Sequence, residues 1–172
     1  MSFEIALGFT LGVEGGYSTA DGHPTNMGVR QELFDKWNES HGARPKPVTQ
    51  ITSLEAANFY RDWYWEPCSC DAIPYPLAVC VFDTAVNSGQ ATAIRLLQRA
   101  VWVDEDGIVG KDTMANIAGL DPMMGAHSFI TLRRLYYKGL VGSIPDRSMR
   151  GWLARCDKLW QHILQYQHDG PS

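Results

Sequence analysis

Residues 3–16 read FEIALGFTLGVEGG. Phe3, Ala6, Leu7, Leu11 and Glu14 recur at three- and four-residue steps, the period of a helix with one apolar face. Gly15-Gly16 then stops it. Glu14 therefore shares the stripe of Leu7 and Leu11. A carboxylate there costs free energy unless it is protonated or paired. Lost hydration and the negative end of the helix dipole both raise its pKa. A general acid needs that shift to keep its proton near neutral pH. A frayed helix end with Glu14 turned to solvent fits the same period equally well.

Outward from this helix the pattern stays helical. Tyr17 to Gly28 carries Asp21-Gly22, Pro24 and Asn26, which predicts a loop or small hairpin. A helix follows over Arg30 to Glu39. Thr52-x-x-Glu55 is a capping box opening a helix to Trp65, and Pro67 closes it. Pro76 suits the first position of a helix over Leu77 to Asn87. Ser88-Gly89 breaks the pattern before an amphipathic helix over Ala91 to Val101. Asp104 to Gly110 is a polar turn. Further helices are expected over Lys111 to Ala118, from Asp121-Pro122 to Leu140, and through Trp152, Cys156, Leu159 and Ile163. The fold class is all-α with at most a minimal β-hairpin.

The chain has 172 residues, 45% apolar and 20% charged, with a net charge of −4. This suits one globular domain and argues against nucleic acid, which selects a basic face. Residues 1–172 are expected to form a single domain, residues 89–165 packing against 1–88 in the same fold. The charges from Arg133 to Lys158 are mostly basic, a solvated helix face or a surface for an anionic polymer. No apolar run is long enough to cross a bilayer, and the first residues lack the pattern of a signal peptide. The expected location is the cytoplasm, or export by another route. Cys68-Ser69-Cys70 is too tight for the usual zinc pairs, and no histidine stands in an H-E-x-x-H arrangement. Cys80 and Cys156 lie on apolar faces as buried thiols, and a Cys68 or Cys70 disulfide is not required. Asp104-Glu105-Asp106-Gly107 fails the spacing of an EF-hand. No metal or cofactor is expected.

A glycosidase needs a second group opposite its acid. Asp21 and Thr25 stand in the loop after Glu14, although a turn and a cap account for each singly. Asp83 and Asn87 share one helix face. They suit a sugar-contacting pair or a plain helix end. Tyr60, Trp63, Tyr64 and Trp65 suit core packing more than sugar stacking.

Together these segments resemble glycoside hydrolase family 108, the N-acetylmuramidases typified by phage endolysins. The resemblance rests on Glu14-Gly15-Gly16-Tyr17 and Pro24-Thr25-Asn26-Met27-Gly28-Val29. It continues in AANFYRDWYW at 56–65, FDTAVNSG at 82–89, LLQRA at 96–100 with DGIVG at 106–110, and Gly151-Trp152-Leu153 with Arg155. It implies a lysozyme-like fold with Glu14 as catalytic acid, and Asp21 and Thr25 as candidates for the second group. Tyr17, Asn26, Asp83 and Asn87 become candidate substrate contacts. The loop before Thr25 is shorter than the family pattern, and His23-Pro24 replaces its Gly-Gly, so Asp21 is carried over only as a candidate. The implied reaction is hydrolysis of the β-1,4 bond between N-acetylmuramic acid and N-acetylglucosamine in peptidoglycan glycan strands. The implied setting is a monomer held in the cytoplasm until a holin opens the membrane. A lytic transglycosylase and a non-catalytic peptidoglycan-binding protein are the alternatives.

Overall fold

The computed structural model describes residues 2–14, 24–140 and 145–169, with the backbone alone at 13, 14 and 167–169. Helix α1 spans Ser2–Glu14. A hairpin follows, β1 Thr25–Asn26 and β2 Val29–Arg30, in antiparallel register with Thr25 opposite Arg30. Its two-residue turn has Met27 at φ 50° and Gly28 at φ 74°. Two successive positive φ angles match the twist of paired strands, but the first normally selects Asn, Asp or Gly. Met27 is held there by its carbonyl, which accepts a hydrogen bond from Tyr60 Oη at 3.0 Å. The small hairpin expected within Tyr17 to Gly28 thus turns at the end of that stretch and runs on to Arg30, and Tyr17 and Asp21 themselves fall outside the described residues.

Helix α2, Gln31–Ser40, runs on directly from the hairpin. Gln31 braces the connector after it, donating to Lys46 O at 3.0 Å and accepting from Val48 N at 2.5 Å. Helix α3, Ser53–Tyr60, opens on the expected capping box. Thr52 Oγ1 accepts from Glu55 N at 3.2 Å, and Glu55 Oε2 accepts from Thr52 N at 2.9 Å. The Lys46 ammonium and these Thr52 donors pull the Glu55 carboxyl down to about 2.

The expected single helix to Trp65 is interrupted. Residues Arg61–Trp65 form a π turn, closed by Glu66 N–H donating to Arg61 O at 2.9 Å. Such insertions swing the following side chains off the helical row and often occur at functional sites.

Helix α4, Leu77–Ser88, is the centre of the molecule, and every residue from Leu77 to Ala85 is buried. A helix that is buried all round must be covered by neighbours. Here they are α1, the π turn, α5 (Gln90–Ala100) and α7 (Pro122–Gly139). Phe82 meets Phe3 of α1 and Trp65 of the π turn edge to face, at centroid distances of 5.9 and 5.6 Å. Helix α6, Lys111–Ala118, follows the polar turn. Asp121 caps α7 by accepting from Met124 N at 2.9 Å. Helix α8, Asp146–Asp169, packs on α7 and on α1. Tyr75 Oη donates to Ile163 O at 3.1 Å across 88 residues of sequence. Buried apolar side chains from Phe3 to Ile163 make one cluster. All four cysteines are buried within it. No helix among the described residues is long and apolar enough to cross a membrane.

Candidate active site

The hairpin, α2, the end of α3, the π turn and the polar end of α4 meet around a hollow of about 320 Å³. Gly28 and Arg30 of the hairpin form one wall, Leu33 of α2 and Tyr60 and Tyr64 the next, Val86 and Asn87 of α4 the floor. Tyr60 is almost wholly buried and spends its hydroxyl on Met27 O, so it shapes the hollow as a core residue. Tyr64 is half-buried and presents a ring to the hollow. Trp65 is core, and its Nε1 donates to Asp71 Oδ1 at 2.7 Å. The preference for packing over sugar stacking holds for Tyr60 and Trp65, while Tyr64 belongs to the hollow.

Two larger hollows lie elsewhere. One, of about 590 Å³, is an apolar groove around Trp102, Met123 and Trp160. The other, of about 470 Å³, lies at the start of α6 beside Asp106 and Thr113. Among the described residues, neither is lined by the hairpin or α4. Size alone therefore does not select the site, and the hollow at the hairpin is favoured by the residues that converge on it.

Glu14 is the last residue of α1, and its side chain lies outside the described residues, as do Asp21 and Tyr17 entirely. Glu14 follows Ala6 and Thr10 on one row of α1 at steps of four, and both of those are fully buried. Thr25 pairs with Arg30, which lines the hollow. Asn26 spends its amide on the fold, with Nδ2 donating to Val48 O at 3.3 Å. Among the described residues no group of three His, Cys, Asp or Glu side chains comes together to hold a metal ion.

Asp83 corrects an expectation. It is 0% exposed and cannot contact a sugar as it stands. Arg133 Nη1 donates to its Oδ2 at 2.6 Å. Arg155 donates to its Oδ1 from Nη2 at 2.8 Å and from Nε at 3.0 Å. Burial pushes the Asp83 carboxyl up, but the two guanidiniums outweigh it and hold it below the usual carboxylate range. Within the basic segment Arg133 and Arg155 are interior residues, while Lys138, Arg147, Arg150 and Lys158 are exposed, as a solvated face would have them. Sequence reading missed this triad because its members lie 50 and 72 residues apart. It missed Arg30 because the pattern assigns that residue to the following helix, whereas it lies in β2.

Asp83→Ala is expected to leave two buried guanidiniums without a counter-charge, costing ~3–5 kcal/mol. For a domain of this size that is a Tm loss of about 6–20 °C, measured by calorimetry at neutral pH. A Tm within a degree or two of wild type would remove the triad from the fold's stability. Because the folded pKa is depressed, the contribution is complete above the unfolded value of ~3.9 and fades as pH falls through the folded one. The wild-type melting temperature should owe no pH dependence to Asp83 between pH 5 and 8.

Asn87 has a different setting. It is half-buried, lines the hollow, and donates from Nδ2 to Tyr137 Oη at 2.8 Å.

Residues 7–89, which contain the latter part of α1, the hairpin and α4, match the family described as Glycosyl hydrolase 108. Among solved structures, SagA of Brucella abortus is similar with a TM-score of 0.80 and 27% identity, over 98% of this chain and 97% of that one. No curated protein matches the sequence significantly. A family match that takes in the helix end, the hairpin and the floor of the hollow, and a structural likeness over nearly the whole length, lead to one assignment: residues 7–89 carry a glycosyl hydrolase 108 region within a lysozyme-like fold, that of a muramidase-type glycoside hydrolase acting on peptidoglycan.

Proposed function

We propose that the protein hydrolyses the β-1,4 bond between N-acetylmuramic acid and N-acetylglucosamine, with Glu14 as general acid. The supporting observation is register. Glu14 closes α1 on the row of Ala6 and Thr10, both fully buried. A carboxyl on such a row loses hydration, and the helix's negative end opposes its ionisation. Both keep the proton available for the leaving glycosidic oxygen.

Asp21, Thr25 or both position the attacking water. The whole chain acts as one domain, as a monomer, on glycan strands. Storage in the cytoplasm until a holin opens the membrane belongs to the same reading and rests on the resemblance to phage endolysins.

Purified peptidoglycan should be cleared, and mass spectrometry should find fragments ending in reducing N-acetylmuramic acid. Fragments lighter by one water, the anhydro form, would replace this reading with a lytic transglycosylase. Binding without clearing would replace it with a wall-binding protein.

Asp21→Asn and Thr25→Ala should each slow clearing by less than the ~10²–10⁴-fold typical of a general acid–base group. An Asp21→Asn protein with full activity would leave Thr25 as the water-positioning group.

A further inference from the structure

Two i,i+4 pairs face each other in the interior. Asp83 and Asn87 lie on α4, Arg133 and Tyr137 on α7. Arg133 reaches Asp83 at 2.6 Å, and Asn87 reaches Tyr137 at 2.8 Å. The two rungs are joined by Arg133 Nε, which donates to Tyr137 Oη at 2.8 Å. The lower rung is sealed, with Asp83 and Arg133 both fully buried. The upper rung ends at Asn87 in the hollow.

In this connection Asn87 is engaged through its side-chain nitrogen. An arginine Nε can only donate, so the Tyr137 oxygen must accept from it. Ser88 Oγ stands 3.0 Å from the same oxygen, and with Asn87 Nδ2 donating to Tyr137 the phenol's own proton is free for it. The remaining lone pair of Tyr137 then accepts from Asn87 Nδ2. The planar amide carries its oxygen on the other side from the nitrogen so engaged. Tyr137 itself is pinned by Trp152, with centroids 5.1 Å apart, and by the Arg133 guanidinium 5.4 Å from its ring centre.

We infer that Asn87 reads the acetamido group of the bound sugar, its Oδ1 accepting the acetamido N–H, and that Tyr137 and Arg133 are positioning residues for it. The surroundings suit the group. Asn87 lines the hollow together with Val86 and the ring of Tyr64, which offer apolar surface to the acetamido methyl. A hollow of about 320 Å³ is at the small end of ligand sites and suits one sugar ring. This assignment rests on the muramidase reading for its choice of ligand.

The test compares wild type, Asn87→Ala, Tyr137→Phe and the double variant on two substrates, native glycan strands and the same strands after N-deacetylation. Binding of the N-acetylglucosamine hexamer is measured in parallel by calorimetry. On native strands each single variant should raise KM about tenfold with kcat changed far less, the loss of about one net hydrogen bond. The double variant should be no worse than Asn87→Ala, because Tyr137 acts through Asn87. On deacetylated strands the four proteins should converge. A merely structural role for Tyr137 would lower activity on both substrates alike. Losses that multiply in the double variant, or that persist on deacetylated strands, would overturn the assignment. So would a wild type that fails to bind the hexamer. A wild type that binds the hexamer in an Asn87-dependent way but cleaves nothing would sink the hydrolase reading and leave this one standing.

Discussion

Glu14→Gln is expected to fold as wild type and to retain less than about 1% of the clearing rate. Glutamine keeps the shape of the side chain and removes the proton to be transferred. General acid–base help is worth ~10²–10⁴-fold, so the loss should be at least at the lower end. The fold should not register the change. Glu14 is the terminal residue of α1, and the contacts that seat the helix come from Phe3, Ala6 and Phe9 further back. Circular dichroism and melting temperature should therefore be unchanged. Glu14→Asp should also be severely impaired, since a displacement of about 1 Å at a reacting group can cost ~10²-fold. The wild-type profile should be one-sided in a defined sense. An acid that must be protonated loses activity as pH rises through its pKa. A Glu14→Gln protein clearing at more than a tenth of the wild-type rate would remove Glu14 from the role of acid.

Local signals carried much of the fold. Thr52 and Glu55 announce their capping box because every partner lies within four residues. Asp121-Pro122 marks the start of α7 for the same reason. The run from Leu77 to Ala85 reads as a core helix because its burial is continuous. What stayed hidden depends on distant partners. The π turn at Arg61–Trp65 leaves no trace in periodicity, since it differs from a helix by one shifted hydrogen bond. Met27 is no turn former, and its positive φ depends on Tyr60, 33 residues away. Asp83 and Asn87 looked equivalent at one helical step. Only the arrival of α7 and α8 separates them, burying Asp83 under two arginines and leaving Asn87 in the hollow. Of the two α4 residues that the family pattern names, tertiary packing alone decides that Asn87 lines the hollow and Asp83 does not.

Residues 1–88 expressed alone are expected not to fold. The family match ends at residue 89, which invites a cut there. The junction argues against it. Gly89 closes α4, its N–H donating to Ala85 O at 2.9 Å, and opens α5, its carbonyl accepting from Ala93 N at 3.1 Å. One residue at φ 89° serves both helices, a corner and not a tether. Beyond the corner lie α5 and α7, which cover α4, and α8, which packs on α1. The cut strips Asp83 of both arginines and leaves a buried carboxylate to be hydrated. It also removes Ile163, which accepts from Tyr75, and His162, whose Nε2 lies 3.3 Å from Ile5 O. Each large apolar side chain uncovered on α4 forfeits ~1.5–3 kcal/mol. A few of these exceed the whole stability of an ordinary domain, ~5–15 kcal/mol. The fragment should be insoluble, or soluble without a cooperative urea transition, and should not clear peptidoglycan. A soluble 1–88 fragment that melts cooperatively and lyses would show that the two halves are separate domains and that the later helices are dispensable to the catalytic fold.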